Sequence, residues 1–72
     1  MLLDDLNVVI KVAEFRNITA AATHLNMRTA TASAAVKRVE QALGAELFVR
    51  TTRSLRLSSA GERFLPTCQE AM

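Results

Sequence analysis

Arg28–Leu43 reads RTATASAAVKRVEQAL and is closed by Gly44. Laid on a turn of 3.6 residues, Ala32, Ala35, Val36, Val39 and Leu43 fall on one side at three- and four-residue steps. The opposite side carries Ala30, Ser33, Ala34, Lys37 and Gln41, with Arg38 on its edge. A solvated helix face normally mixes long charged side chains. Here the first two turns are short and nearly free of acids, and basic residues follow behind. Such a face suits a helix whose N-terminal end comes very close to something large and negative. Taken alone, the stretch also reads as an ordinary surface helix.

Upstream, Asp4 and Asp5 stand at the front of a first helix, where carboxylates meet free N–H groups and oppose the helix dipole. Leu6, Val9, Ile10 and Ala13 form its apolar stripe, and Arg16-Asn17 ends it. Asn17 or Thr19 then caps a short helix, Thr19 to Leu25, in which Ala21-Ala22 lets another helix cross closely. Asn26-Met27 is a tight turn: Asn tolerates the left-handed conformation, and Met27 turns into the core. Short helix, tight turn, longer helix is a helix-turn-helix, a pattern that also occurs as a plain packing unit.

Downstream, Glu46–Arg50 and Leu55–Leu57 are two short runs with β-type residues, separated by Thr51, Thr52, Arg53 and Ser54. They predict a hairpin with Arg53 at its tip and Arg50 at its base; an irregular loop bearing solvated arginines is the alternative. Ser59-Ala-Gly-Glu62 matches a capping box and opens a fourth helix, whose apolar side is Phe64, Leu65, Cys68 and Met72. Pro66 removes one backbone donor from that helix.

Seventy-two residues make one small domain, half hydrophobic but with much of that alanine. The composition predicts a mainly α fold. The net charge of +2 is unevenly placed, because residues 28–56 hold six basic side chains against Glu40 and Glu46. Mildly acidic segments flank that positive one, leaving a local electrostatic footprint that the total hides. A lone Cys68 excludes an internal disulfide and favours a reducing compartment. The acidic start and the lack of a membrane-length apolar run point to a soluble, cytoplasmic protein. One Cys and one His, His24, cannot build a zinc site, and no glycine-rich phosphate loop is present, so no metal or cofactor is expected. No nucleophile–base pair or carboxylate dyad suggests an enzyme. A helix-turn-helix used only for protein association is the rival class, and the clustered bases argue against it.

The spacing Ile18-Thr19-x-Ala21-Ala22-x-x-Leu25-x-Met27 continues through Ser33-x-x-Val36-x-x-Val39-Glu40-x-x-Leu43-Gly44-x-x-Leu47-Phe48-x-Arg50-Thr51-x-Arg53 to Leu57-Ser58-x-Ala60-Gly61-Glu62. In these residues the chain resembles the N-terminal winged helix-turn-helix domain of LysR-type transcriptional regulators, over nearly its whole length and without a gap. The resemblance implies a three-helix core with a short two-stranded β wing, followed by the start of a dimerisation linker helix. Residues 1–58 would form the head, with the helix-turn-helix at about 18–37 and the wing at about 46–58; residues 59–72 would begin the linker. It implies double-stranded DNA as partner and a homodimer through Phe64, Leu65, Cys68 and Met72, weakened because the linker stops early. It also implies a nucleoid-associated bacterial regulator whose small-molecule effector binds a further domain.

In that frame Thr31 and Ser33 offer hydroxyls to base edges or phosphates, and Ala30, Ala34 and the threonine methyls face thymine methyl groups. Thr31 can equally cap its own helix. Arg28, Lys37, Arg38, Arg50, Thr51 and Thr19 suit phosphates, Thr19 having the capping role as its other reading. Arg53 suits a narrow minor groove. Glu40 is read as a partner for a nearby Arg. Typical members begin this helix Ser-Gln-Pro; here Thr29 stands for the base-reading Gln and Ala34 for a common Arg, so their operator does not transfer.

Overall fold

The computed structural model describes residues 3–50 and 55–71. In chain order these form α1 (Leu3–Phe15), α2 (Ile18–His24), α3 (Thr29–Leu43), β1 (Phe48–Arg50), β2 (Leu55–Leu57) and α4 (Ser59–Ala71). The strands pair antiparallel, with Phe48 opposite Leu57 and Arg50 opposite Leu55. Three helices, a hairpin and a further helix make the expected winged helix-turn-helix.

α1 is the element around which the others gather. Its predicted stripe is only part of what it buries, since Val8 and Val12 are as deep as Val9. A single amphipathic stripe suits a helix covered from one side; α1 meets α2, α3 and α4. It ends where Arg16 takes a left-handed φ of 53°.

Asn17, not Thr19, caps the second helix. Its Oδ1 accepts the Ala20 N–H at 2.9 Å, and Thr19 sits inside the first turn. Ala21 and Ala22 are buried. Asn26 adopts φ 61°, and the Met27 N–H reaches the Ala22 carbonyl at 2.9 Å, closing the turn as expected. α3 begins after Arg28, whose extended backbone caps it without a side-chain bond, and stops at Gly44 with φ 70°.

Ala32, Ala35, Val36 and Val39 are buried, but Leu43 is 41% exposed and does not belong to the core. The first turn of α1 lies beside Arg38, and Leu43 is five residues further on, about 7 Å beyond that cover.

The start of α4 differs from the capping-box reading by one residue. Ser58 is the cap: its Oγ accepts the Gly61 N–H at 3.0 Å and donates to the Glu46 carbonyl, while its own N–H bonds the Leu47 carbonyl at 2.8 Å. Ser59 lacks this second set of partners because it already lies in the helix. The helix continues through Pro66.

Gly61 is buried where that turn meets the chain before β1. A Cβ there would lie 2.2 Å from the Leu47 carbonyl oxygen and 2.8 Å from Leu57 Cδ2. Replacing Gly by Ala within a helix normally gains about 1 kcal/mol. At Gly61 the collision outweighs that gain, and Gly61→Ala is expected to destabilise by roughly 1–3 kcal/mol. Gly44→Ala meets open space and suffers only the left-handed φ, a cost of about 1 kcal/mol. Urea unfolding of both variants measures the difference; a Gly61→Ala protein as stable as the parent would mean that α4 is not seated on Leu47.

Candidate nucleic-acid interface

The outward side of α3 carries Thr29, Ala30, Thr31, Ala34 and Lys37, all exposed. Because the cap residue Arg28 makes no side-chain bond, no side chain of its own shields the helix's electropositive first turn. Ser33 is half-buried at the edge of a cleft of about 360 Å³ between α3 and the hairpin, which Lys37 and Arg50 also line. Two exposed bases far apart in sequence therefore face one opening. Thr19 is exposed on α2, and its carbonyl accepts the Thr23 hydroxyl at 2.9 Å. Thr51 and Arg53, assigned to the wing tip, lie outside the described residues.

The one carboxylate of α3, Glu40, lines the same cleft, as does Glu46, but it is engaged by the backbone. Glu40 Oε2 accepts the Leu47 N–H at 2.7 Å, so its partner is a backbone amide rather than the expected arginine. Leu47 is fully buried, and a buried amide left unpaired costs about 1–3 kcal/mol. Sequence spacing gave no means of seeing this bond, since it depends on how tightly the chain turns after Gly44.

Arg38 departs furthest from expectation. Its Nε donates to Asp5 Oδ2 at 3.0 Å and its Nη2 to Asp5 Oδ1 at 2.8 Å. The carboxylate belongs to the first turn of α1 and its side chain is 6% exposed; the guanidinium's side chain is 55% exposed. The Asp5 hydrogen bond raises the Arg38 pKa further above the usual range; desolvation opposes this and Coulomb attraction adds to it. The side chain read as a phosphate clamp is thus engaged within the fold. Asp5, read as a helix-front carboxylate, is the residue whose long-range role was missed.

On α4, Phe64 and Leu65 are half-buried and pack against the core, so part of the apolar side assigned to dimerisation already serves the head. The Cys68 side chain and Met72 lie outside the described residues. His24 is exposed, its ring 5.2 Å from that of Phe15. Among the described residues no group of three or more His, Cys, Asp or Glu could hold a metal ion. No helix there is long and apolar enough to cross a membrane.

A short helix, a tight turn and a longer helix with a two-stranded hairpin beside it define the class as a winged helix-turn-helix. Residues 3–62 match the family described as bacterial regulatory helix-turn-helix proteins, lysR family. The chain belongs to that family. It is 44% identical over 61 residues to the HTH-type transcriptional regulator PgrR of Escherichia coli (strain K12), across 85% of this chain and 20% of that protein. To the HTH-type transcriptional activator IlvY of Haemophilus influenzae it is 38% identical over 61 residues, across 85% of this chain and 21% of that one. The chain thus spans about a fifth of the length of these relatives. Among solved structures, the CbnR DNA-binding domain in complex with DNA superposes with a TM-score of 0.93 at 31% identity, covering 99% of this chain and 82% of that one.

Proposed function

We propose that this chain is the sequence-specific DNA-binding head of a non-enzymatic bacterial transcriptional regulator. The observation that carries the reading is the outward face of the N-terminal turns of α3: small side chains, no carboxylate before Glu40, and a first turn unshielded by its cap residue. The shared fold with a domain solved on DNA supports it. α3 enters the major groove by its N-terminal turns, where Thr31 and Ser33 bond base edges or phosphates and Thr29, Ala30 and Ala34 lie against thymine methyl groups. Arg28 holds a phosphate at the helix N-terminus. Lys37, Arg50, Thr51 and Thr19 hold the backbone on either side, and Arg53 enters the minor groove. Few fork-shaped donors meet the bases, so DNA shape carries much of the discrimination. The regulator works in the cytoplasm on the nucleoid, and any small-molecule effector acts through another domain.

With roughly four to six phosphate contacts per head, log K is expected to fall with log salt at a slope of about −4 to −5. Fluorescence anisotropy at several salt concentrations measures the slope, and a flat dependence rules the interface out. Arg53→Ala is expected to weaken binding by roughly 1–3 kcal/mol, mainly on sites flanked by A·T pairs. Equal loss on every flank would assign Arg53 to the backbone instead.

Two heads joined through α4 read a two-fold related site, each raising the other's effective concentration. Because Phe64 and Leu65 already cover part of the core, the pairing of these heads is weak in solution and completed on DNA. Sedimentation with and without duplex is expected to show two heads only on the duplex; a tight dimer without DNA contradicts it.

A further inference from the structure

In its N-terminal half α3 is packed through alanines, which set its distance from the other helices well and its position along them poorly; Val36 and Val39 are buried further along. Ala32 and Ala35, with Ala21 and Ala22 of α2, are at most 2% exposed, so the helices approach closely. An alanine surface has low ridges, however, and neighbouring axial settings differ little in what they bury. The contact between Asp5 and Arg38 is of another kind. Two parallel bonds to a planar guanidinium, formed 33 residues apart in sequence, can both be kept only at one distance and one orientation. Resting on the DNA-binding reading above, we propose that Asp5 is a positioning residue for that function. By gripping Arg38 it fixes the rotation and axial setting of α3, and with them which base edges the turns from Thr29 to Ser33 can reach.

Three causes of altered binding separate by sign. Asp5 is an anion on a head that meets phosphates. By charge alone its removal would tighten binding to every duplex, and Arg38, once released, would steepen the salt dependence. A loss of folding stability would weaken binding to every duplex by one factor. Loss of positioning weakens binding only where bases must be met in register, and leaves the sequence-independent part intact.

Asp5→Asn and Arg38→Lys are compared with the parent chain by fluorescence anisotropy on two duplexes, with thermal melts alongside. One duplex is selected from a random-sequence pool by the parent chain; the other is its scrambled counterpart of equal length and composition. In both variants the ratio of selected to scrambled affinity is expected to fall about tenfold, the scale of one mismatched base pair. For Asp5→Asn, binding to the scrambled duplex holds or tightens. Arg38→Lys keeps the positive charge but not the fork, and its half-exposed position spares the fold if Asp5→Asn does not accumulate as a folded protein. A ratio within twofold of the parent in Arg38→Lys overturns the proposal. So does tighter binding of both duplexes by Asp5→Asn with a steeper salt slope, which would make Arg38 a phosphate contact. A parent chain that enriches no sequence from the pool strikes at the DNA-binding reading itself, and the inference falls with it.

Discussion

The backbone of Leu47 is where α3, the wing and the last helix are joined. Its N–H is taken by the Glu40 carboxylate from α3 at 2.7 Å, and its carbonyl by the N–H of Ser58 at the entrance to α4. The neighbouring Glu46 carbonyl accepts the Ser58 hydroxyl, and Gly61 leaves room for the first turn of α4 to rest on the same peptide. A hairpin of two three-residue strands cannot hold itself in water. Here it is held from both ends, by a charge-assisted bond at its entrance and by a capped helix at its exit. The side chain of Leu47 is fully buried as well, so moving this peptide would empty a core position and strand two polar groups together.

That anchorage explains how so small a head can present a hairpin at a defined angle to α3. The wing has little core of its own: Phe48 and Leu55 turn inward, while Val49, Arg50 and Arg56 stay exposed. The inward pair fastens the hairpin to the domain; alternation turns Arg56 outward between Leu55 and Leu57, while Arg50 shares the face of Phe48 and stays exposed at the strand end, over the cleft. Lys37 and Arg50 come to line one cleft because Glu40, one turn of α3 beyond Lys37, fastens the segment that leads into β1.

Local rules made most of the fold legible in the sequence, and they failed wherever a partner came from elsewhere in the chain. The periodicity of α3 up to Val39 and the left-handed Asn26 and Gly44 depend on neighbours within four residues and stand as expected, and the two β-type runs do pair, the first from Phe48 rather than Glu46. The cap of α4 moved from Ser59 to Ser58 because Ser58 alone reaches the Glu46 and Leu47 carbonyls, twelve and eleven residues back. Leu43 has the right spacing for the buried stripe but no α1 left to cover it, and a helical wheel contains no information about where a neighbouring helix ends. Arg38 is the plainest case. On the wheel it is a basic residue near the outward face, yet its guanidinium is met by a carboxylate 33 residues back in the chain. Of the candidate site, Thr29, Ala30, Thr31, Ala34, Lys37 and Arg50 are exposed and Ser33 is half-buried, whereas which charges are engaged within the fold required the fold itself.

That engagement bears on how a face of alanines and hydroxyls can discriminate among sequences. A bidentate donor earns about 1–3 kcal/mol against a wrong base almost by itself, because its geometry is built into the side chain. A threonine hydroxyl or an alanine methyl has no such geometry; what it contacts is decided by where the backbone stands. Short side chains also bring that backbone nearer the groove, so a displacement that a long arginine could absorb by changing rotamer would be felt in full. On the proposed reading, a head that gives up forked readers on its outer face gains most from rigidity on its inner one. Two charged side chains of α3, Glu40 and Arg38, are each committed to an element that sets its position: the approach to β1 and the first turn of α1.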